Sequence, residues 1–263
     1  MNIDRKQLQQ IVRDVANTTI MPLFNHVSRQ YKKDGSIVTH ADHAMQQALT
    51  EKLAEICPEV ALLGEEMSVA EQQALLDSGR PLWCLDPIDG TSNFAAGLPF
   101  FSVSLALIEN GKVTTAMVLD PVRDESFTAI LGQGAWLNDI PLNSENVGLS
   151  LKQTIAFIDF KRLPQELSQQ LVSERPYGSQ RNQGSIALEL CWLAAGRAHI
   201  YLHGGENIWD YAAADLIIAE AGAYATTLEG KKLFSNTLEQ RTSIAAIDED
   251  LFKQWRAYLN IPD

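Results

Sequence analysis

The stretch that most constrains this chain is Trp83-Cys84-Leu85-Asp86-Pro87-Ile88-Asp89-Gly90-Thr91. Its apolar lead-in, Pro81 to Leu85, reads as the end of a buried strand. Two carboxylates follow, with Pro87 and Ile88 between them. Proline cannot extend a strand ladder or sit inside a helix, and it biases Asp86 toward an extended conformation. Gly90 permits a sharp turn or the close approach of a ligand. Thr91, Ser92 and Asn93 are cap-type residues, and a helix starting there would turn backbone N–H groups toward an anion. Two hard carboxylates beside an anion-binding turn are what a Mg²⁺–phosphate site needs, because Mg²⁺ takes oxygen ligands and shares them with substrate phosphate. An Asp-Pro or Asp-Gly pair alone is more often a plain turn. The whole run is far more specific.

The rest of the chain supplies elements on which such a site could be built. Leu8, Ile11, Val12 and Val15 recur at helical spacing and, with Ile20, Leu23 and Phe24, predict a long amphipathic helix disturbed near Pro22. Lys32 to Ser36 reads as a turn, Ile37 to Thr39 as a short apolar stop, and Asp42 to Ile56 as a second helix, for which Asp42 by position is a plain N-cap. Ala61 to Leu63 is a short strand that stops at Gly64-Glu65-Glu66, and Val69 to Arg80 is a helix or a flexible lid. Phe101–Ile108, Val113–Leu119 and Glu125–Ile130 are strands joined by tight turns, as an antiparallel sheet requires. The shift to Asn, Ser, Pro and Gly near Leu137 to Val147 divides an N-terminal α+β domain, 1–143, from a C-terminal α/β domain, 144–263. In the latter, strands at Thr154–Ile158, Tyr177–Gln180 and His199–Leu202 alternate with helices at Gln165–Val172, Ile186–Ala195 and Ile208–Ala221, which places an α/β layer on the first sheet. Asp210, taken alone, is a first-turn helix acid.

Charge and cysteine usage narrow the function classes. With 21 Lys+Arg against 33 Asp+Glu, the net charge of −12 argues against non-specific nucleic-acid binding. It does not exclude a phosphorylated substrate, because bound divalent cations can supply the positive field. Cys57, Cys84 and Cys191 are widely spaced and form no CxxC pair, so neither a disulfide framework nor a zinc module is indicated. His40 and His43 flank Asp42 but lack a matching ligand set elsewhere. Met1 to Arg13 is polar and unlike a signal peptide, and no apolar run reaches the roughly 20 residues of a membrane span. A cytoplasmic protein with reduced, mostly buried thiols is the expectation.

The run Asp86-Pro87-Ile88-Asp89-Gly90-Thr91 closely resembles the signature of the inositol monophosphatase family of metal-dependent, lithium-sensitive phosphatases. The similarity continues through Asn93-Phe94, Gly97, Pro99-Phe100 and Ser102-Val103-Ser104. It extends to Gly64-Glu65-Glu66 about twenty residues upstream, to Val38-Thr39 with Asp42, to Gly132 through Asn138, and to Trp209-Asp210 with Glu220-Ala221-Gly222. The resemblance implies a layered α/β/α/β/α sandwich and Mg²⁺-dependent hydrolysis of a small phosphorylated metabolite without a phosphoenzyme. It implies Glu65, Asp86 and the Ile88 carbonyl as ligands of one ion and Asp86, Asp89 and Asp210 as ligands of a second. A third, weaker ion near Glu65 stays open, with Glu66 either contributing to it or supporting the ligands from behind. Thr91 would hydrogen-bond the attacking water and Asp42 would accept in turn. Gly90 and Thr91 N–H groups would hold phosphate oxygens, and Asp89, Gly184, Ser185, His203 and Asp210 would face the substrate. A homodimer and no membrane partner are expected.

Inositol monophosphate is the first substrate this implies, with fructose 1,6-bisphosphate, histidinol phosphate and 3′-phosphoadenosine 5′-phosphate as rivals. A non-catalytic, partner-binding protein is the alternative of another class. Two departures bear on the choice. Relatives that act on inositol monophosphate carry an acid seven positions before the Trp-Asp aspartate, where this chain has His203. Gly204-Gly205 then predict a flexible loop, with Glu206 close enough to take over. Ile186 stands where a small residue is usual. Broad or shifted specificity is therefore expected.

Overall fold

The protein is described here by a computed structural model covering residues 3–26, 30–31 and 37–261. The turn expected at Lys32 to Ser36 lies outside these residues. Helix α1 (Arg5–Thr19) is capped by Asp4, whose side chain accepts from the Lys6 N–H, and it buries Leu8, Val12, Val15 and Ala16. It ends earlier than its apolar pattern predicts. Pro22 has no N–H to continue the ladder, and the chain turns instead through a 3₁₀ segment at Met21–Leu23. A two-residue ladder, β1 (Gln30–Tyr31) and β2 (Ile37–Val38), precedes α2 (His40–Ile56). Thr39, rather than Asp42, is the α2 N-cap; Asp42 sits at the third helical position and closes a capping box with it.

Next come β3 (Ala61–Gly64), α3 (Val69–Asp77), β4 (Leu82–Asp89), α4 (Thr91–Ala96), β5 (Ser102–Glu109), β6 (Lys112–Asp120), β7 (Glu125–Ile130), β8 (Gly134–Leu137) and β9 (Ile140–Leu142). These strands form one seven-stranded sheet in chain order, β3 to β9, in which only the β3–β4 pair is parallel. Contrary to expectation, β4 runs through Pro87. The ladder tolerates it because the register to β5 shifts between Asp86 and Asp89, so no N–H is required of the proline.

The second half contains β10 (Ile155–Ile158), α5 (Gln165–Glu174), β11 (Ser179–Arg181), α6 (Ile186–Ala194), β12 (Ile200–Glu206), α7 (Ile208–Ala221), β13 (Tyr224–Thr226), β14 (Arg241–Ala246) and α8 (Glu249–Tyr258). Its sheet has the order β11-β10-β12-β14-β13, with β10 parallel to both neighbours and β14 antiparallel to β12 and β13. Gly204 and Gly205 lie inside β12, not in a loop. A side chain on Gly204 would collide with the Arg162 carbonyl, and Arg162 Nη1 donates to Gly205 O at 2.9 Å. The glycines serve close backbone packing at a register shift between His203 and Glu206.

Alternation along β4 to β6 builds two cores. Trp83, Leu85, Val103, Leu105, Leu107, Met117 and Leu119 face α1 and α2. Leu82, Cys84, Ala106, Ala116, Val118, Phe127 and Ala129 face the other way, into a core shared with α6, α7 and the second sheet. Helix α8 covers the far side of that sheet through Leu251, Phe252 and Trp255, the last donating from Nε1 to Tyr201 O at 3.0 Å. The result is the layered α/β/α/β/α sandwich that the sequence predicts. All three cysteines are buried free thiols, and no helix among the described residues is long and apolar enough to cross a membrane.

Candidate active site

Asp42, Glu65, Asp89 and Asp210 gather around Asp86 at the C-terminal end of β4. Asp86 and Asp89 are 3% and 5% exposed there. Across the ladder, Asp86 faces Ser104 and Asp89 faces Ser102 on β5. The two serines are polar residues in a strand that is buried and otherwise apolar up to Ile108, and each has a task. Ser102 Oγ donates to Asp89 Oδ2 at 3.3 Å. Ser104 Oγ donates to Trp209 O at 3.0 Å, which ties the start of α7, and so Asp210, to the same strand end. Glu65 arrives from the parallel neighbour β3, its N–H donating to Leu85 O at 3.2 Å. The buried Gln72 of α3 grips that turn, donating to Gly64 O at 2.9 Å and Glu65 O at 3.3 Å.

Asp42 comes from α2 and is fully buried. Its Oδ2 accepts from the Thr39 N–H and hydroxyl, both at 2.8 Å, and its Oδ1 accepts from Thr91 Oγ1 at 3.1 Å. Thr91 Oγ1 also lies 2.9 Å from Ile88 O. One hydroxyl proton thus has two acceptors, and the oxygen lone pairs stay open to a donor. Gly90, at φ +95°, is the left-handed N-cap of α4, and a Cβ there would approach Gly184 O to 3.0 Å.

Asp89 does something its sequence position did not disclose. It docks the start of α6, accepting from Ser185 Oγ at 2.6 Å, Ala187 N at 2.8 Å and Ile186 N at 3.1 Å. Gly184 and Ser185 are thereby brought against the aspartate motif. His40 and His43 are exposed on α2.

The electrostatics record crowding. Burial holds Asp86 well above the usual carboxylate range, and Glu65, Asp89, Asp210 and Asp42 push the same way. Asp210 is raised for the same reasons, by burial and then by Asp89 and Glu65. Asp89 is pushed up to about 6 by burial, with its hydrogen bonds from Ser185, Ala187, Ile186 and Ser102 opposing. Burial also raises Asp42, against the bonds from Thr39 and Thr91. Among the described residues, no three acidic side chains are already gathered closely enough to hold one ion. Three of the acids accept from backbone N–H groups: Asp86 Oδ1 from Ile88 at 3.0 Å, Asp210 Oδ2 from Asn207 at 2.7 Å, and Asp89 Oδ2 from Ala187 at 2.8 Å. Chemically the set suits Mg²⁺: hard oxygen donors whose mutual repulsion a cation would relieve.

His203 and Glu206 form a buried group of their own. Gly205 N donates to His203 Nδ1 at 3.3 Å, Glu206 Oε1 lies 3.5 Å from the same nitrogen, and Nε2 lies 3.0 Å from Asp159 Oδ2. Burial works against the Asp159 carboxylate, but His203 and the Lys161 N–H hold it below its usual range. Tyr201 and Ser243 hydroxyls both donate to Glu206 Oε1, at 2.7 and 2.6 Å, while its Oε2 has no hydrogen-bond partner among the described residues.

A family model for the inositol monophosphatase family matches residues 4–259. The chain belongs to that family. Among its members, a protein named Nus factor SuhB from Pasteurella multocida is 36% identical over 76% of this chain and 74% of its own length. A fructose-1,6-bisphosphatase/inositol-1-monophosphatase from Thermotoga maritima is 32% identical over 88% of this chain and 90% of its own. Among solved structures, an IMPase/NADP phosphatase complexed with Mg²⁺ and phosphate superposes with a TM-score of 0.80 at 26% identity, covering 97% of this chain and 91% of that one.

Sequence reasoning missed Ser102 and Ser104 as supports, Asp89 as the anchor of α6, and Gln72. The serines had a signal: two hydroxyls two residues apart in an apolar strand, opposite two aspartates. Gln72 had none, since its partners, Gly64 O and Glu65 O, are backbone carbonyls that leave no mark in the sequence.

Proposed function

We propose that this protein is a Mg²⁺-dependent phosphomonoesterase acting on a small phosphorylated metabolite, with inositol monophosphate the first substrate to test. The observation that carries the reading is the Thr91–Asp42 hydrogen bond beside the buried acids of the β4 end. Glu65, Asp86, Asp89, Asp210 and the Ile88 carbonyl would hold two ions, and room for a third, weaker one near Glu65 stays open. When bound, paired Mg²⁺ ions neutralise the acids, draw charge from the phosphoryl oxygens and make water a stronger nucleophile. The chain's own residues supply alignment and proton handling. A water donates to the open lone pair of Thr91 Oγ1, Thr91 passes its proton toward Asp42 Oδ1, and the Thr39 bonds keep Asp42 aimed. Gly90 and Thr91 N–H groups receive phosphate oxygens, and Gly184 and Ser185 border the organic part of the substrate. With both nitrogens of His203 held by protein groups, no free donor stands at the position where relatives carry an acid. That favours broad or shifted specificity, because only a site built to bond a hydroxyl discriminates strongly.

The test is kcat/KM for inositol 1-phosphate, fructose 1,6-bisphosphate, histidinol phosphate, 3′-phosphoadenosine 5′-phosphate and glycerol 2-phosphate. The expected spread is below about a thousandfold, and a larger preference for inositol 1-phosphate, lost in His203→Ala, contradicts the specificity reading. A second reading, a non-catalytic partner-binding protein, is favoured by the name Nus factor carried by several relatives. It predicts a folded protein with no turnover of any of these compounds. We further propose a homodimer, checked by the mass from light scattering at micromolar concentration; a monomer contradicts it.

A further inference from the structure

Helix α6 is apolar over Ile186–Ala194 except at Glu189, which is only 4% exposed. Burying a carboxyl is unfavourable unless hydrogen bonds compensate. Here the compensation is local. Glu189 Oε1 accepts from the backbone N–H groups of Gln183 and Gly184, the latter at 3.2 Å. The segment it grips faces the aspartate motif. Gly184, at φ +84°, packs its carbonyl against Gly90. Asn93, on α4, donates from Nδ2 both to Gln183 O at 2.6 Å and to Phe100 O at 2.7 Å. Ser185, Ile186 and Ala187 then hold Asp89. The 183–185 segment is therefore clamped through its own N–H groups by the Glu189 carboxyl and through the Gln183 carbonyl by the Asn93 amide. Helix packing does not need the carboxyl, since the residues on its own helix face, Ile186 three before and Leu193 four after, are apolar and lie against or within the core.

We propose that Glu189 is a positioning residue: its carboxyl fixes the 183–185 wall against Gly90–Thr91 and so sets how tightly substrate is held, without touching the reacting atoms. The assignment rests on the phosphatase reading for its kinetic part and on the clamp geometry for its structural part. Burial pushes Glu189 up to about 8, with Asp89 and Asp159 adding to it, so the carboxyl is mainly protonated at neutral pH without metal. A glutamine carbonyl can accept the same two amides, whereas leucine cannot.

The full-length protein is compared as wild type, Glu189→Leu and Glu189→Gln. Native-state hydrogen exchange is read without metal, and kinetics with Mg²⁺ on the best substrate of the panel. In Glu189→Leu, exchange at Gln183 and Gly184 should accelerate and KM should rise, each by about tenfold, the worth of a lost buried hydrogen bond, with kcat held within about threefold. Glu189→Gln should restore both. Should the leucine variant unfold, Glu189→Met is read in the same way. Unchanged exchange in Glu189→Leu overturns the clamp. Faster exchange with unchanged KM overturns the positioning role, as does a glutamine variant no better than leucine. A wild type without turnover contradicts the phosphatase reading and the kinetic part with it, while exchange still judges the clamp.

Discussion

Asp42 and Asp89 are both buried acids on backbone N–H or hydroxyl donors, yet replacing each by asparagine should give opposite results. In Asp42→Asn the amide oxygen can stay on Thr39 and the NH₂ can face Thr91, whose hydroxyl then donates to Ile88 O alone. The fold survives, and with a desolvated charge removed the melting temperature should hold or rise. Thr91 has no acidic acceptor left, so kcat should fall by about 10²–10⁴, the range for a lost general base. A kcat within about fivefold of wild type would remove Asp42 from the reaction. In Asp89→Asn, one oxygen cannot serve both the Ile186 and Ala187 amides. Stability should drop by about 1–3 kcal/mol, the cost of a buried donor left unpaired, measured by urea unfolding of the metal-free protein. An unchanged unfolding midpoint would mean that α6 does not depend on this anchor. On sequence grounds alone, removing the Asp89 charge reads as harmless to the fold, because neither Ser185 nor the α6 amides are its neighbours in the chain.

At the level of elements, legibility followed periodicity. Strands β5 to β7 and helices α2 and α7 announce themselves by apolar pattern and by Gly or Pro punctuation. Residues 223–263, with β13, β14 and α8, went unassigned, since Thr227 to Gln240 interrupts the alternation that would mark a sheet. The candidate site was legible as residue types, because carboxylates joined to Gly and Pro leave few local alternatives. What was not legible was the partner of each group: the parallel β3–β4 pairing, the serines opposite the aspartates, and the rigidity of β12. Gly204-Gly205 looks flexible in sequence and is the reverse in the fold, since the chain there is pinned by Arg162. Gly204→Ala therefore tests the element directly. Its methyl group meets backbone rather than a movable side chain, and the loss should be about 3 kcal/mol, the upper end for overpacking. A flexible loop would accept alanine with no loss of unfolding free energy.

For the whole molecule, the shared core of α6, α7 and both sheets joins residues on either side of 143/144. We propose that boundary as a topological division between two sheets that unfold together. Without metal, the buried acids also set a pH dependence. Asp42, Asp86, Asp89, Asp210, Glu189, Glu206 and Asp215 are all raised, Asp89 and Asp215 to about 6 and Glu189 to about 8. Between the unfolded carboxylate values near 4 and about 8, these seven groups bind more protons folded than unfolded, so their contribution falls as pH rises; His199, lowered by burial, opposes them below about 6.5 as one group against seven. Melting temperature in chelator should decline from about pH 5 to 8, and Mg²⁺ should restore it, by roughly 2.7 kcal/mol at a hundredfold excess over Kd. A chelated protein that melts at the same temperature across this range contradicts the crowding on which the site rests. The most direct measurement is phosphate release from the substrate panel by the folded wild-type protein, from chelated to saturating Mg²⁺, beside Asp86→Asn. The account predicts release that depends on Mg²⁺ by at least about a thousandfold and is lost in the variant, as for a metal-assisted displacement. Release that persists in chelator, or no release from any member of the panel at saturating Mg²⁺, would contradict it.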